Sequence, residues 1–365
     1  MFNPFLKDGP RDDAEQQVYR LRNLIQRQPR FRAEAYTPDS TGMLIRVRDR
    51  DAGAARRRFM VKAAYEEVDE QVRREATWIQ RLRAAKHIVD PAVPRTDPLR
   101  TAWTLPYLFM EYLESGSLED FQQRVRGATR TLPDGTEVPL VLPNRLLWSI
   151  FLCLIRSCIG LAWPPQGPAA QLERPLGHQP RRLAHRDMHQ GNIMFGDLEA
   201  EVAEHLRVPL VKLIDFGEAR ELETGEAISA ADLGKFDVPL NLAQYRPATG
   251  ARNPGIDRNL LDIGCIMARV IRGRKFGSAA QCREHSTDPD VHPSLDPDLR
   301  LLVQRCLAVD PANRPRLEEL ARSIGADEFS KTEIYYELKG MNPNRLESDD
   351  SLEYIVSTFI LNADS

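Results

Sequence analysis

Two short segments decide the fold expected of this chain: HRDMHQGN at residues 185–192 and DFG at residues 215–217. The first supplies Asp187 and Asn192, and the second supplies Asp215. Carboxylate and amide oxygens are ligands that Mg²⁺ prefers. An apolar strand-like run precedes the second segment and another follows the first, so the sequence predicts that strands bring these side chains together.

A lysine and a glutamate farther towards the N-terminus form a second candidate group. Lys62 lies in the strand-like run of residues 59–63, and a helix is predicted over residues 66–83. Glu75 falls on the apolar stripe of that helix, where an unpaired carboxylate is unfavourable. The pattern therefore predicts a Lys62–Glu75 ion pair, with a nearby arginine such as Arg74 as the alternative partner.

Taken in this order, Lys62, Glu75 and the two aspartate-bearing segments resemble the eukaryotic protein-kinase superfamily. The resemblance implies an α+β, bilobal fold with a small β-rich N-lobe, which holds one key helix, and a larger, mainly helical C-lobe. It covers an N-lobe (32–113) and a C-lobe (114–325, with an inserted surface loop at about 163–180). Before them, Val18, Leu21, Leu24 and Ile25 recur at helical spacing and predict an amphipathic helix in an extension of residues 1–31. After them, residues 326–365 are expected to form an acidic, loosely packed tail.

The resemblance also implies a role for each residue in phosphoryl transfer from ATP. Lys62, aimed by Glu75, would hold phosphates, and Asp187 would orient the attacking hydroxyl. Asn192 and Asp215 would hold Mg²⁺, and Asn192 would also brace Asp187. The residues expected around the nucleotide are Gly42, Met60, Glu111, Leu113 and Met194, in addition to Lys62 and Asp215.

The phosphate and adenine positions depart from the family pattern. Residues 37–44, where the family has a glycine-rich loop, contain only Gly42. Met60 stands where the family prefers alanine. Because it lies two residues before Lys62 on a strand, it shares the face of that lysine and is expected to narrow the adenine slot. His189 replaces a phosphate-contacting lysine, so stabilisation of the transition-state charge should be weaker.

The helical half departs from the pattern as well. Asn259 occupies the position of an aspartate that ties down the catalytic loop, and Asp257 or Asp262 could substitute for it. Residues 245–249 lack the glutamate that normally pairs with the arginine at Arg314. Substrate docking is therefore the least defined part of the resemblance.

These features leave three functions open. The first is a divergent serine/threonine protein kinase, in which Arg186 would respond to phosphate on Thr224 or Ser229. The second is a pseudokinase that acts as a binding or scaffold module. The third is a small-molecule phosphotransferase, since residues 187–192 also resemble the loop of aminoglycoside and choline phosphotransferases.

Composition limits the partners and the location. The 365-residue chain has a net charge of -3 and a pI near 6.2, which gives no indication of nucleic-acid binding. No signal peptide is recognised, and the apolar run at residues 146–155 is too short to cross a bilayer. Five cysteines without metal-ligand spacing indicate reduced thiols in an intracellular protein, cytoplasmic or nuclear. The expected partners are a protein substrate and a regulatory protein.

Overall fold

The computed structural model describes most of the chain: residues 13–39, 42–51, 58–65, 69–92, 94, 96–132, 134–226, 228–229, 252–273, 277–286 and 292–362. A small antiparallel sheet comes first and a helical region follows it, so the predicted mixed α+β class is confirmed. The altered segment at residues 245–249 lies outside the described residues.

The first sheet contains four strands in sequential order, each antiparallel to the next. They are β1 (Phe31–Asp39), β2 (Gly42–Asp49), β3 (Arg58–Ala63) and β4 (Tyr107–Glu111). Alternate side chains of β3 point to opposite faces, as strand geometry requires. Met60 joins the main core, which continues into the helical region, whereas Phe59 and Val61 join a second core on the other face.

Helix α1 (Asp13–Gln26) covers that second face of the sheet. Its buried side chains recur at helical spacing: Val18, Leu21, Leu24 and Ile25. They pack in the same cluster as Phe59 and Val61 of β3. The expected amphipathic helix within residues 1–31 is therefore present and rests on the sheet.

Helix α2 (Asp69–Leu82) crosses the opposite side of the sheet. Its bounds lie within the predicted range of residues 66–83, of which residues 66–68 are outside the described part. Two acidic residues in its first turn and Arg81 in its last turn complement the helix dipole. Its apolar stripe is buried, and Glu75 lies within that stripe.

The helical region contains eight further helices of regular α type among the described residues. They are α3 (Leu118–Val125), α4 (Asn144–Ala162), α5 (Pro254–Arg272), α6 (Ala279–Ser286), α7 (Pro297–Cys306), α8 (Leu317–Ser330), α9 (Glu333–Leu338) and α10 (Asp349–Val356). Its short strands are β5 (Thr129–Thr131), β6 (Glu137–Pro139), β7 (Leu183–Ala184), β8 (Ile193–Phe195), β9 (Val211–Leu213) and β10 (Arg220–Glu221).

Helix α4 is the central core helix of this region. The helix has 19 residues and extends beyond the apolar run at residues 146–155, and by length and composition alone it could cross a membrane. However, 89% of its most apolar 18-residue stretch is buried inside the protein, as expected of a core helix. No other described helix passes the same test of length and composition.

Two short antiparallel pairs place the candidate functional residues. β8 pairs with β9, so that Ile193 lies opposite Leu213. Asn192 immediately precedes β8, and Asp215 follows two residues after the end of β9. The β7–β10 pair then brings the segments on either side of the site together.

The structure corrects two expectations about loosely packed segments. The C-terminal residues do not form a loose tail, because Leu352, Ile355 and Ile360 are buried in the main core. Lys331 pairs with buried Asp296 at 2.9 Å. The inserted loop at residues 163–180 is not entirely at the surface either, since its Glu173 is fully buried.

Candidate functional site

Lys62 forms the centre of a buried charge cluster. Its Nζ lies 2.7 Å from Oε2 of Glu75 and 3.1 Å from Oδ1 of Asp215. Lys62 and Glu75 are 2% and 1% exposed, so water screens this pair very little. The predicted Lys62–Glu75 pair is therefore present, and the alternative Glu75–Arg74 pairing is wrong. Arg74 instead lies 3.7 Å from Glu70 and donates to the carbonyl of Gly217.

Burial and charge act in opposite directions on these groups. Burial raises the pKa of Glu75 to about 7, although the Lys62 charge and the backbone N–H of Phe216 oppose that rise. Burial alone would lower the pKa of Lys62, but two carboxylates outweigh it and raise that pKa. Burial likewise opposes ionisation of Asp215, yet Lys62 holds the pKa of Asp215 below its usual value. The cluster thus favours a charged lysine beside an ionised Asp215.

Helix α2 is fixed against the segment that follows Asp215. Trp78 Nε1 donates to the carbonyl of Ala219 at 3.1 Å, and Arg74 donates to the carbonyl of Gly217 at 2.8 Å. Gln71 donates to Glu218 at 2.9 Å. These three contacts lie along one side of the helix and hold Glu75 towards Lys62. The sequence interpretation missed them, because their partners lie about 140 residues away in the chain.

Asp187 and Asn192 meet as predicted. The amide nitrogen of Asn192 donates to the backbone oxygen of Asp187 at 2.9 Å and to its carboxylate at 3.2 Å. The amide oxygen of Asn192 has no donor among the described residues and remains available to a ligand. The side chain of Asp187 is 50% exposed, whereas Asn192 is buried. Asn192 therefore holds an accessible carboxylate in one orientation.

His189 lies next to this carboxylate. Its Nδ1 accepts the backbone N–H of Gly191 at 3.1 Å, so its Nε2 carries the ring proton in the neutral form. That Nε2 lies 3.8 Å from Oδ2 of Asp187. The ring thus turns the side of Nε2 towards Asp187.

His185 belongs to the supporting structure of the loop. It is fully buried, and its Nε2 donates to the carbonyl of Ile214 at 2.9 Å. Burial lowers the pKa of His185, so the ring is neutral near pH 7. Its edge packs against Phe216, with ring centroids 4.9 Å apart. The segment before Asp187 is thereby joined to the segment before Asp215.

Asn259 itself ties down the loop that carries Asp187, so the expected substitution by Asp257 or Asp262 is wrong. Its Oδ1 accepts the backbone N–H of His185 at 3.0 Å, and its Nδ2 donates to the carbonyl of Leu183 at 2.9 Å. Asp257 pairs with Arg252, and Asp262 pairs with Arg258 at 3.1 Å. An amide serves here because one partner is a donor and the other is an acceptor.

The guanidinium of Arg314 finds hydrogen-bond acceptors without a glutamate partner from the described residues. It is fully buried and donates to the backbone carbonyls of Ala308, Val309 and Asp257. Burial lowers the pKa of its guanidinium, which the nearby Asp257 opposes. Three carbonyl dipoles thus stabilise the charge that the family pattern assigns to an ion pair.

Two residues of the site have a left-handed backbone. Arg186 has φ = 69° and Asp215 has φ = 60°. For a side chain other than glycine this region is sparsely populated and costs about 1–3 kcal/mol. The packing of His185 holds the neighbouring Arg186 in this conformation, and the ion pair with Lys62 holds Asp215. Arg186 immediately precedes Asp187, and Asp215 carries the carboxylate that pairs with Lys62.

Five of the residues predicted around the nucleotide lie in strands: Gly42 in β2, Met60 and Lys62 in β3, Glu111 in β4 and Met194 in β8. Met60 lies directly opposite Met110 in the β3–β4 register and is buried. Gly42 has φ = 141°, and a Cβ there would lie 2.7 Å from the carbonyl oxygen of Ala63, so only glycine fits. Met194 is half-buried and pairs with Ser117 through an isolated bridge.

At the end of β4 and just after it, Glu111 and Leu113 differ in whether their polar groups are already bonded within the protein. The carboxylate of Glu111 binds Lys212 at 2.6 Å and accepts the backbone N–H of Asp90 at 2.7 Å. Its side chain is therefore engaged within the protein. The backbone N–H of Leu113 has no acceptor in the part of the chain that the structure describes. Sequence reasoning missed Lys212, although a lysine inside an apolar strand indicated that it needed a partner.

Among the predicted regulatory residues, Arg186 is not the arginine that contacts Thr224. Arg182 donates to the hydroxyl of Thr224 at 3.0 Å. Arg186 lies 3.9 Å from a carboxylate oxygen of Glu218. Thr224 and Ser229 are both exposed and hence accessible to a modifying enzyme. Regulation by phosphate at either residue remains a prediction, with Arg182 added as a direct neighbour of Thr224.

No protein-family model matches this chain, and no match is found among curated proteins. The site is therefore interpreted from its own geometry. Three separated segments place a buried lysine, an ionised carboxylate, a braced exposed carboxylate and an available amide oxygen in one connected arrangement.

Proposed function

We propose that this chain is a divergent protein kinase of the bilobal kind, which transfers a phosphoryl group from ATP to serine or threonine hydroxyls of a protein. The observation that carries the proposal is the pairing of Lys62 with both Glu75 at 2.7 Å and Asp215 at 3.1 Å. A buried lysine shared by two carboxylates is suited to bind phosphate beside a metal ion.

The residues available fit ATP with Mg²⁺. Asp215 and the amide oxygen of Asn192 provide oxygen ligands of the type Mg²⁺ selects. When bound, ATP with Mg²⁺ would supply the phosphoryl group and neutralise part of its charge. Lys62 would bind phosphate oxygens, and Glu75 would keep its ammonium group in position.

Asp187 would act on the hydroxyl of the substrate. Its carboxylate is half exposed and hence open to an incoming group, while Asn192 fixes its orientation. Asp187 would accept a hydrogen bond from the hydroxyl and align its oxygen for in-line attack. His189 would support this carboxylate by donating from Nε2, in place of the lysine that the family pattern has two residues after the aspartate.

A pseudokinase is the second candidate, and the face of the sheet near Lys62 favours it. Met60 and Met110 lie opposite each other on that face, where two long side chains reduce the room for a base. A small-molecule phosphotransferase is the third, favoured by His189 in the Asp187 loop. The exposed Asp187 is compatible with either a protein or a small hydroxyl compound.

Nucleotide binding and transfer distinguish these candidates. We expect ATP to raise the melting temperature only with Mg²⁺. The corresponding gain in the free energy of unfolding is RT ln(1 + [L]/Kd), which is about 2.7 kcal/mol when the ligand concentration is 100 times Kd. Radiolabel transfer to generic protein substrates should fall at least 100-fold in Asp187→Ala. Asp350→Ala, which changes a surface aspartate, should keep wild-type transfer.

Each outcome separates one candidate from the others. A magnesium-dependent shift without Asp187-dependent transfer would support the pseudokinase. Transfer to hydroxylated metabolites but not to proteins would support the small-molecule enzyme. The absence of both a magnesium-dependent shift and phosphoryl transfer would exclude both enzymatic proposals.

A further inference from the structure

A second buried polar cluster lies apart from the Lys62 site. It consists of His87, which follows helix α2, Cys153 of helix α4, and His205 of the 3₁₀ turn Ala203–His205. One nitrogen or sulfur atom of each residue lies within 4.8 Å of the other two. Three segments that are far apart in sequence thus converge on one point, and all three side chains are buried.

The ring nitrogens of this cluster lack the hydrogen bonds expected of buried polar groups. His205 is 1% exposed, and neither its Nδ1 nor its Nε2 has a partner in the described structure. His87 is fully buried, and its Nε2 is also without a partner there. More than about 90% of buried polar groups in proteins are satisfied, so three unsatisfied nitrogens at one point indicate a missing ligand.

Glu173 orients the first of these rings. Its Oε2 lies 2.7 Å from Nδ1 of His87, and its Oε1 accepts the backbone N–H of His87 at 2.7 Å. A carboxylate on Nδ1 fixes the ring proton there and leaves the Nε2 lone pair directed away from it. This carboxylate–histidine arrangement is the usual support for a histidine that binds a metal through its other nitrogen.

Glu173 brings a buried carboxylate to the cluster, and two basic side chains also lie near it. Glu173 is fully buried, and within the described residues no lysine or arginine lies within ion-pair distance of its carboxylate. The two nearby basic residues are already paired, Lys86 with Glu199 and Arg156 with Glu204. A metal ion on Nε2 of His87 would therefore be joined through the ring to a buried carboxylate that has no lysine or arginine partner among the described residues.

We propose that His87 Nε2, His205 and Cys153 Sγ form a binding site for a zinc-class metal ion, with Glu173 as the carboxylate that orients His87. Imidazole and thiolate ligands suit Zn²⁺, whereas Mg²⁺ and Ca²⁺ require oxygen. Tetrahedral Zn²⁺ brings its ligand atoms to roughly 3.3–3.7 Å from one another. The side chains would have to close by about 1 Å, the thiol would lose its proton on binding, and a solvent molecule would complete the four ligands.

The location gives the metal a structural role. The backbone of His87 accepts a hydrogen bond from the N–H of Leu213 at 2.9 Å, and Leu213 lies two residues before Asp215. Metal binding would cross-link helix α4, the turn after helix α2 and the Ala203–His205 turn. We therefore expect the ion to stiffen the support beneath Asp215 rather than to take part in phosphoryl transfer.

Metal analysis of the untagged full-length chain tests the site. After exhaustive dialysis with stoichiometric Zn²⁺, wild type should retain about one zinc per chain and gain in melting temperature. Cys153→Ala and His205→Gln should each lose the bound zinc, and Glu173→Gln should bind it 10- to 100-fold more weakly. Cys158→Ala, a buried cysteine on the same helix but outside the cluster, is the matched control and should retain it.

Cobalt provides a test that does not depend on the folding of variants. Co²⁺ bound to wild type should give a thiolate-to-metal charge-transfer band, with d–d bands of tetrahedral intensity. The proposal would be overturned by the absence of retained zinc together with the absence of the charge-transfer band. Equal zinc retention in Cys153→Ala, His205→Gln and wild type would overturn it as well.

Discussion

The Lys62 cluster and the His87 cluster are both buried, but they differ in how their polar groups are satisfied. In the Lys62 cluster each charge faces an opposite one, at 2.7 Å and 3.1 Å. In the His87 cluster three ring nitrogens have no hydrogen-bond partner among the described residues. The first cluster is complete as a protein structure, whereas the second is completed by a ligand. Replacing one charged residue of the Lys62 cluster should therefore destabilise the protein, and adding a metal ion to the His87 cluster should stabilise it.

The largest expected effect comes from removing the shared cation. Lys62→Met leaves Glu75 facing Asp215 in a buried site, so we expect a loss of about 3–5 kcal/mol in the free energy of unfolding. Chemical denaturation measures this change. The double variant Lys62→Met/Glu75→Leu should recover a substantial part of the loss, since it removes one of the two unpaired carboxylates. Unchanged stability in the single variant would contradict a buried, paired lysine.

A substitution at Asn259 tests whether the loop that carries Asp187 has all of its polar groups paired. Asn259→Leu leaves the N–H of His185 and the carbonyl of Leu183 without partners, so we expect a loss of about 2–4 kcal/mol. Asn23→Leu on the exposed face of helix α1 is the control, expected within about 0.5 kcal/mol. Equal effects of the two substitutions would show that Asn259 does not hold the loop.

The unsatisfied ring of His205 should make the metal-free protein sensitive to acid. Burial, together with the nearby charges of Lys86 and Arg156, lowers the pKa of His205 to about 3, whereas an unfolded histidine titrates near 6.5. Between these values the unfolded chain binds the extra proton, so stability falls as the pH falls. From pH 7 to pH 5 we expect His205 to contribute a loss of about 2 kcal/mol.

Comparison with His205→Gln isolates this contribution, because His185 and His292 titrate in the same direction and are present in both proteins. The measurement is the free energy of unfolding at both pH values with a chelator present. Parallel pH profiles for the two proteins would contradict a buried, neutral His205. Added Zn²⁺ at pH 7 should stabilise wild type but not the variant.

An exposed ion pair gives the smallest expected effect and calibrates the others. Arg73 and Asp69 on helix α2 lie 3.4 Å apart, with side chains 64% and 43% exposed. Arg73→Ala should change the free energy of unfolding by less than about 0.5 kcal/mol. The same denaturation experiment as for Lys62→Met tests it. A loss as large as that of Lys62→Met would show that burial does not set the strength of these pairs.

The sequence predicted those features that depend on local pattern. Helical periodicity placed Val18, Leu21, Leu24 and Ile25 on one buried face, and it placed Glu75 on a stripe where it needed a cation. Strand alternation placed Met60 and Lys62 on the same side of β3. These predictions succeeded because side-chain direction repeats with a fixed period within one helix or strand.

Predictions failed where the outcome depended on distant packing. The acidic composition of the C-terminal segment predicts a loose tail, yet Ile355 and Ile360 are buried in the main core. The Pro- and Gly-rich insertion reads as a surface loop, yet its Glu173 is buried against His87. A buried charge is tolerated there only because the fold brings a partner to it, which composition does not reveal.

The amino-acid sequence by itself thus determined which residues can carry charge and bind metal: Lys62, Glu75, Asp187, Asn192 and Asp215 in a fixed order. Only the tertiary structure decided which polar groups meet. It assigned the loop bonds to Asn259, the Thr224 contact to Arg182, and one shared point to His87, Cys153 and His205. The physical reason is that burial makes each polar group need a partner, while the packing of distant segments selects that partner.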